Sequence, residues 1–284
     1  MKRVRIIAAL VIVLSVIACN DEETTSTTIE AQISEADIES EESATSTYEE
    51  IDDIVEQSIL EVPSAGRGVN SRDESISCAE ISHDEENQII EVTFDGTCIG
   101  PRGHIKSGKI IITYNDARYV PGAFRRVEFE DFYFDSVQVE GVRTVTNVSE
   151  TTEDAPMFNI TLVGGKITFA DGSSISRDSD HTRTWERAAN PVNDQITLTG
   201  SASGSRRDGT TYTSEITTPL VFKRACRASG SSRIAVSGVK EITWNDNLVV
   251  TDFGDGTCDR LVSVTVNGET REIQLNPRGH RRRR

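Results

Sequence analysis

The feature that most constrains the fold is an apolar–polar alternation with a period of two residues, running from about residue 76 almost to the C-terminus. Such alternation places successive side chains on opposite faces of a β-strand. The segments that fit are mostly rich in Thr, Val, Ile and aromatic residues, which favour strands. The predicted strands span residues 88–94, 109–114, 127–134, 137–145, 158–163, 165–169, 174–185, 195–203, 210–220, 234–244, 248–253, 261–266 and 271–275.

Short turn signals separate these segments and indicate how the strands are connected. They are Asp95-Gly96, Gly164-Gly165, Asp171-Gly172, Asp208-Gly209 and Asn267-Gly268. Asn-Gly, Asp-Gly and Gly-Gly pairs favour two-residue hairpin turns, because the central positions need positive φ. Hairpins join antiparallel neighbours, so we predict an all-β antiparallel meander over residues 62–276. An open curved sheet, a sandwich and a barrel all remain compatible with the pattern.

A helical period appears just before the predicted sheet. Apolar residues recur every three or four positions, with acidic residues between them. The recurring residues are Tyr48, Ile51, Val55 and Ile59. Thr47 followed by Glu50 fits a capping box at a helix N-terminus. We predict one short amphipathic helix over residues 46–61, docked onto the β domain by its narrow apolar stripe.

The N-terminus has the organisation of a bacterial lipoprotein export signal. A short cationic segment precedes the apolar residues 6–17, and Val16-Ile17-Ala18-Cys19 matches a lipobox. The apolar run is shorter than the ~20 residues that span a bilayer, so residues 1–18 are predicted to be a removable signal peptide. Cys19 is then the lipidated N-terminus, anchored stably by several acyl chains. The alternative is an ordinary secretory signal with a coincidental cysteine.

The charge of the chain is concentrated near its N-terminus. The formal net charge is −16, and residues 20–62 contain fifteen acidic residues but no Lys or Arg. Residues 63–284 carry 27 basic and 31 acidic residues, a net charge of −4. A segment of like charges extends and does not order itself, so residues 19–45 are predicted to be an acidic disordered tether. Residues 277–284 are predicted to be a basic tail. With no concentrated basic face elsewhere, nucleic acid is not an expected partner.

Four cysteines besides Cys19 point to disulfide bonds. They are Cys78, Cys98, Cys226 and Cys258. An even number in an exported chain favours disulfides. Proximity along the chain favours Cys78–Cys98 and Cys226–Cys258, although three connectivities exist. A zinc site is the weaker alternative, because its cysteines normally occur in closely spaced pairs. Asp-Gly-Thr-Cys occurs at both Cys98 and Cys258, which suggests two related units around the central strands.

One predicted strand carries a candidate ligand-binding face. His181, Arg183 and Trp185 alternate along it and therefore point to the same side. This face is suited to stacking against a sugar or another ring. The alternative is a structural role, in which Trp185 anchors the sheet with an arginine over its ring.

Evidence for other chemistry is weak. Asp252, Asp255 and Asp259 surround a glycine-rich turn and are a weak calcium candidate, but their order does not match an EF-hand loop. Asp side chains that cap their own turn explain them equally well. The sequence has no nucleophile elbow, zinc-protease helix or phosphate-binding loop, so no catalytic residue and no cofactor are predicted. The alternative is a glycan-active hydrolase that uses dispersed carboxylates.

Several motifs resemble those of a family of predicted outer-membrane and surface lipoproteins that is common in Bacteroidota. The motifs are Phe94-Asp95-Gly96-Thr97-Cys98, Gly100-Pro101-Arg102-Gly103, Ser107-Gly108-Lys109-Ile110-Ile111, Arg183-Thr184-Trp185, Gly200-Ser201-Ala202-Ser203-Gly204, Thr217-Thr218-Pro219-Leu220 and Gly256-Thr257-Cys258-Asp259. The resemblance implies a lipid-anchored, β-rich envelope protein and implies no biochemical activity.

The residues directly after Cys19 bear on the location. Asn20-Asp21-Glu22-Glu23 resembles the acidic signal that exports Bacteroidota lipoproteins to the outer face of the outer membrane. We therefore expect a lipid-anchored protein at the cell surface, with a periplasm-facing location as the alternative. The expected function is that of a binding or structural module. Its expected partners are the membrane, through the lipid, and a glycan or an envelope protein.

Overall fold

The computed structural model describes residues 44–45, 47–62, 76, 78–99, 105–151, 155–229, 234–245 and 247–275, with only the backbone described at Cys98. The predictions for the signal peptide, Cys19, the tether up to residue 43 and the basic tail lie outside these residues. Within them, no helix is both long and apolar enough to cross a membrane.

One open antiparallel sheet of thirteen strands dominates the described part of the chain. The strands are hydrogen-bonded in the order in which they occur in the sequence, which confirms the predicted meander and leaves the sheet open. They are β1 (Glu80–Asp84), β2 (Ile89–Ile99), β3 (Ile105–Tyr114), β4 (Phe124–Phe134), β5 (Val137–Asn147), β6 (Met157–Thr168), β7 (Ser174–Glu186), β8 (Gln195–Ser205), β9 (Thr211–Lys223), β10 (Ser237–Trp244), β11 (Asn247–Asp255), β12 (Leu261–Val266) and β13 (Glu269–Gln274).

Two of the predicted hairpin turns are β-bulges. Gly164 and Gly165 lie inside β6, where the pairing with β7 shifts between Leu162 and Gly165. Asp95-Gly96 lies inside β2, where the pairing with β3 shifts between Asp95 and Cys98. The predicted turns at these two pairs are therefore wrong. A glycine with positive φ serves a bulge as well as a turn, and only the neighbouring strands distinguish the two.

Short helical segments and one strand escaped the sequence pattern. The 3-10 helix η1 (Pro191–Asn193) lies between β7 and β8, and the helix α2 (Arg224–Ala228) follows β9. β1 was missed because its sequence, EISHD, contains a single large apolar residue. It is held by its pairing with β2.

The predicted N-terminal helix is present and docks onto the sheet as expected. It is called α1 here and includes residues 44–45 and 47–61. Most of its apolar stripe is at most 4% exposed, and Ile59 near the C-terminal end is partly buried against the same core. The buried residues are Ala44, Tyr48, Ile51, Ile54 and Val55. Its start was predicted wrongly: Ala44 and Thr45 are already helical, so Thr47 lies inside the helix and is not its N-cap, and the tether does not extend to residue 45.

The core consists of two apolar clusters that meet on the face of the sheet that carries α1, called the inner face here. The first cluster joins α1 to strands as far as β7, and includes Ile112, Phe132 and Leu162. The second cluster begins at β8 and includes Trp244 and Phe253. The boundary between them lies beside α1, and a cavity occupies it.

The predicted Cys226–Cys258 disulfide is present and links α2 to the loop between β11 and β12. Cys78 is also disulfide-bonded. Its predicted pairing with Cys98 depends on a side chain outside the described residues and stays a prediction. The repeated Asp-Gly-Thr-Cys motif makes the same local hydrogen bonds twice, because Asp95 and Asp255 each accept hydrogen bonds from the backbone and hydroxyl of the threonine two residues on.

Candidate binding site

Acidic residues of α1 bind the sheet alongside its apolar stripe. Arg143 on β5 donates two hydrogen bonds to Asp52, from Nε to Oδ1 at 2.6 Å and from Nη2 to Oδ2 at 2.7 Å. Arg143 is only 6% exposed, so this is a largely buried ion pair. Arg183 on β7 lies 3.9 Å from the same carboxylate. The acidic residues of α1, and not only its apolar stripe, therefore determine how the helix docks.

Three further ion pairs, made by two acidic residues, hold the C-terminal half of α1. Glu56 pairs with Arg118 and lies 3.2 Å from Nη1 of Arg125 on β4. Asp53 pairs with Arg227 of α2. These contacts connect the helix to elements at both sides of the cavity, and they fix the position of the cavity's helical wall.

A cavity of about 70 Å³ lies between the first turns of α1 and strands β5 to β11. Its polar wall is formed mainly by β5 and β7, where alternate residues face inward. That wall includes Arg143, Arg177, Ser179, His181 and Arg183. Thr45, Tyr48 and Glu49 of α1 complete it.

The opposite wall of the cavity is apolar, apart from one lysine. It is formed by β8, β9 and β11, with Leu198, Ile216, Leu220, Phe222 and Phe253 facing the space. Lys240 on β10 enters this wall, is 6% exposed and lies 5.9 Å from the Phe253 ring centroid. Ile160 and Leu162 of β6 add apolar surface between the arginines of β5 and β7, so the cavity is amphipathic but its polar and apolar residues are partly interleaved.

The cavity lining carries more positive than negative charge. Among the described lining residues, three arginines and Lys240 are cationic, and Glu49 is the single carboxylate. Arg177 is 7% exposed, and its Nη1 donates to the hydroxyl of Tyr212 at 3.4 Å. Asp52 already compensates Arg143, and the lining as a whole still carries more positive than negative charge, which favours an anion over a cation in this space.

The two carboxylates on this side of α1 have pKa values shifted in opposite directions. Burial raises the pKa of Glu49, and the charge of Arg183 only partly opposes this. Burial would also raise the pKa of Asp52, but the charge and hydrogen bonds of Arg143 outweigh it and lower that pKa. Asp52 is thus a firmly ionised structural partner, whereas Glu49 is the more easily protonated group.

The structure brings together two of the three residues of the predicted ligand-binding face. His181 and Arg183 line the cavity, whereas Trp185 lies further along β7, outside the lining. Trp185 donates from Nε1 to Asp194 at 3.1 Å, and Arg187 lies 5.2 Å from its ring centroid. These contacts resemble the structural alternative for the tryptophan.

Sequence reasoning missed Glu49, Arg143, Arg177 and Lys240 as cavity residues. The alternation on β7 could have identified Arg177, because it points to the same face of the strand as His181 and Arg183. Lys240 and Arg143 lie on strands distant in sequence. Only the order of strands in the sheet brings them to one space.

Asp252, Asp255 and Asp259, the weak calcium candidate, cap their own turns. Each accepts a hydrogen bond from the backbone N–H two residues later, at 2.9 to 3.1 Å. Over the described ranges, no group of three or more His, Cys, Asp or Glu residues is placed to hold a metal ion.

The fold and the cavity together define a class of protein: an open antiparallel meander, covered on its inner face by a helix, with an amphipathic cationic cavity beside that helix. Comparison with protein-family models, with curated proteins and with solved structures gave no match.

Proposed function

We propose that this chain is a lipid-anchored outer-membrane protein, exposed at the cell surface, whose β domain binds a small organic anion without catalysis. The observation that carries the binding proposal is the cavity, whose lining combines four cationic groups and one carboxylate, Glu49, with a large apolar surface. An anionic ligand group is attracted by this excess of positive charge, and an apolar tail contacts the hydrocarbon lining.

The size of the cavity limits the ligand. A volume of about 70 Å³ is well below the ~300–1,000 Å³ typical of pockets for drug-sized molecules. One water needs about 10–15 Å³ of cavity volume of this kind, so the space is equivalent to about five to seven waters and suits a molecule of fewer than about ten heavy atoms. A short-chain carboxylate or sulfonate has the required charge, size and apolar tail.

Butanesulfonate is expected to bind the protein more tightly than either inorganic sulfate or neutral butanesulfonamide. Sulfate lacks the tail that contacts Leu198 and Leu220, and the sulfonamide lacks the charge that Arg177 and Lys240 attract. Isothermal titration calorimetry measures all three affinities. Lys240→Met is expected to weaken butanesulfonate binding about tenfold or more, equivalent to at least ~1.4 kcal/mol, because it removes one buried cation while keeping the volume.

The matched control is Arg126→Gln, which also removes a cation. Arg126 lies on β4 in an exposed ion pair with Glu128, away from the cavity lining. The affinity of the Arg126→Gln variant for butanesulfonate should equal that of the wild type. Equal affinities for butanesulfonate and butanesulfonamide would refute the anion site. Normal binding of butanesulfonate by Lys240→Met would show that the anion does not bind in this cavity.

The proposed anchor rests on the lipobox and the acidic segment that follows it. Cys19→Ala is expected to abolish acylation and shift the protein from the membrane fraction to the soluble fraction, because the acyl chains supply the membrane affinity. Ser26→Ala, in the same segment, should leave fractionation unchanged. Mass spectrometry of the mature N-terminus reads the modification directly. Normal membrane retention of Cys19→Ala would contradict lipidation, and protection of the wild type from protease added to intact cells would contradict surface exposure.

One observation favours the alternative of a glycan-active hydrolase. Glycosidases use two carboxylates with divergent pKa values, as Glu49 and Asp52 have. However, both oxygens of Asp52 are bonded to Arg143, so among the described residues that line the cavity Glu49 has no second carboxylate beside it to act as nucleophile or base. Binding is therefore the better-supported function. Turnover of a glycan panel that is lost in Glu49→Gln would reverse this preference.

A further inference from the structure

We infer that Glu49 is an internal competitor of the ligand, so that binding of an anion in the cavity is accompanied by uptake of a proton at Glu49. This inference rests on the proposed anion-binding function and adds a pH-dependent control of the same site. It follows from the position of Glu49 in the wall of the cavity and from the charges around it.

Glu49 is placed where a ligand anion would be held. It lines the cavity together with Arg143, Arg177 and Arg183. Among the described residues no hydrogen bond is made to its carboxylate, in contrast to Asp52, whose two oxygens are fixed by Arg143. Its ionised form is supported mainly by the charges of Arg183 and Arg143 and opposed by that of Asp52.

An incoming anion changes this balance. The ligand and Glu49 then share the same arginines, and two like charges in one poorly hydrated space repel each other. Protonation of Glu49 removes the repulsion without moving α1. The protonated carboxyl also becomes a hydrogen-bond donor toward the ligand. Burial of Glu49, which already favours its neutral form, makes this response easier.

Only a few of the charged groups around the cavity can change their protonation between pH 5 and 8 and so cause a pH dependence of binding. The charged or titratable groups that face Glu49 are Tyr48 and Asp52 of α1, Arg143 of β5, Arg177, His181 and Arg183 of β7, Lys240 of β10 and Arg227 of α2. Arginine and lysine ordinarily stay charged, and tyrosine neutral, between pH 5 and 8. Asp52 stays ionised because its pKa is lowered. Glu49 and His181 are therefore the two groups to separate by experiment.

Affinity should rise as the pH falls. The ligand raises the pKa of Glu49 above its value in the free protein, so between these two values binding takes up a proton. In that window affinity increases by up to ~10-fold per pH unit of decrease, and below it the affinity is constant.

The test is calorimetric titration of the protein with butanesulfonate from pH 5 to pH 8, since a sulfonate stays ionised over this range. Measurements in two buffers of different ionisation enthalpy count the protons taken up. The wild type is expected to bind more tightly at low pH, with an uptake of up to one proton per ligand. Glu49→Gln is expected to bind more tightly than the wild type at pH 8 and to lose most of the pH dependence.

His181→Asn is the matched control, because it removes the other titratable group of the cavity. It should keep the proton uptake of the wild type. Pronounced pH dependence in Glu49→Gln combined with its loss in His181→Asn would overturn the inference, as would weaker binding by Glu49→Gln at pH 8. If neither the wild type nor Glu49→Gln binds butanesulfonate at any pH, it is the proposed function that fails.

Discussion

Asp52→Ala is expected to lower the free energy of unfolding by about 3–5 kcal/mol, the usual effect of removing one partner from a buried ion pair. The variant leaves the guanidinium of Arg143 buried against the sheet without its bidentate acceptor. Urea unfolding of residues 20–284, followed by circular dichroism, measures the change. The midpoint should fall with little change in the denaturant slope.

Glu128→Ala is the matched control for this variant. Glu128 also pairs with an arginine, Arg126, but both side chains are about 40% exposed, so the loss should be ~1 kcal/mol or less. Arg143→Met combined with Asp52→Ala should recover much of the stability, because it removes the orphaned charge. If Asp52→Ala destabilises the protein no more than Glu128→Ala does, the buried pair does not hold α1 in place.

The same pair predicts a pH dependence with a definite sign. Because the pKa of Asp52 is lowered in the folded protein, its stabilising contribution is present above the ordinary carboxyl pKa of ~3.9 and is lost as the pH falls through the lowered value. Glu49 acts in the opposite sense. Its raised pKa means that folding takes up a proton there, so its contribution to stability grows as the pH falls from the raised value to the ordinary carboxyl pKa and is fully present below that.

Removal of the Cys226–Cys258 disulfide is expected to destabilise the protein by about 3–4 kcal/mol. The bond closes a loop with a sequence separation of 32 residues, and the chain-entropy model gives roughly this value. The loop also contains Ile234 and Ala235, which line the cavity, so butanesulfonate binding should weaken as well. Urea unfolding and calorimetry of Cys226→Ser/Cys258→Ser measure the two effects.

Ala228→Ser provides a control on α2, since it adds a hydroxyl group at an exposed position of the same helix. Its free energy of unfolding should lie within ~0.5 kcal/mol of the wild type. A double-cysteine variant as stable as Ala228→Ser would show that this crosslink does not stabilise the fold.

The strand pattern of this chain was largely predictable because strand periodicity is local. Alternation over β12 located that strand to the residue, at Leu261–Val266. Turn chemistry at Asn267-Gly268 correctly joined it to β13. At Gly164-Gly165 the same local chemistry produced a bulge inside β6, because the neighbouring strand β7 continues its pairing past that point. The residues around Gly164-Gly165 alone therefore do not distinguish a bulge from a hairpin turn.

The cavity residues likewise divide into those that local sequence predicts and those that only the tertiary structure brings together. The sequence identified His181 and Arg183 as neighbours on one strand face, because residues of one strand alternate predictably. It did not identify Glu49, Arg143 or Lys240 as their companions, because these lie on α1, β5 and β10. Nor did it indicate that acidic residues of α1 would pair with buried arginines. These ion pairs form only when α1 is docked on the sheet, so they depend on the tertiary structure.

By itself, then, the sequence determined the fold class, the antiparallel connectivity, the apolar face of α1 and the Cys226–Cys258 disulfide, since each depends on residues close together in the chain. The tertiary structure alone decided that the sheet stays open, that α1 docks through Asp52 and Arg143, and that α1 and the seven strands β5 to β11 line one small cationic space. These features depend on contacts between distant segments, whose geometry is set by the order of strands in the sheet and by the burial of charge beneath the helix.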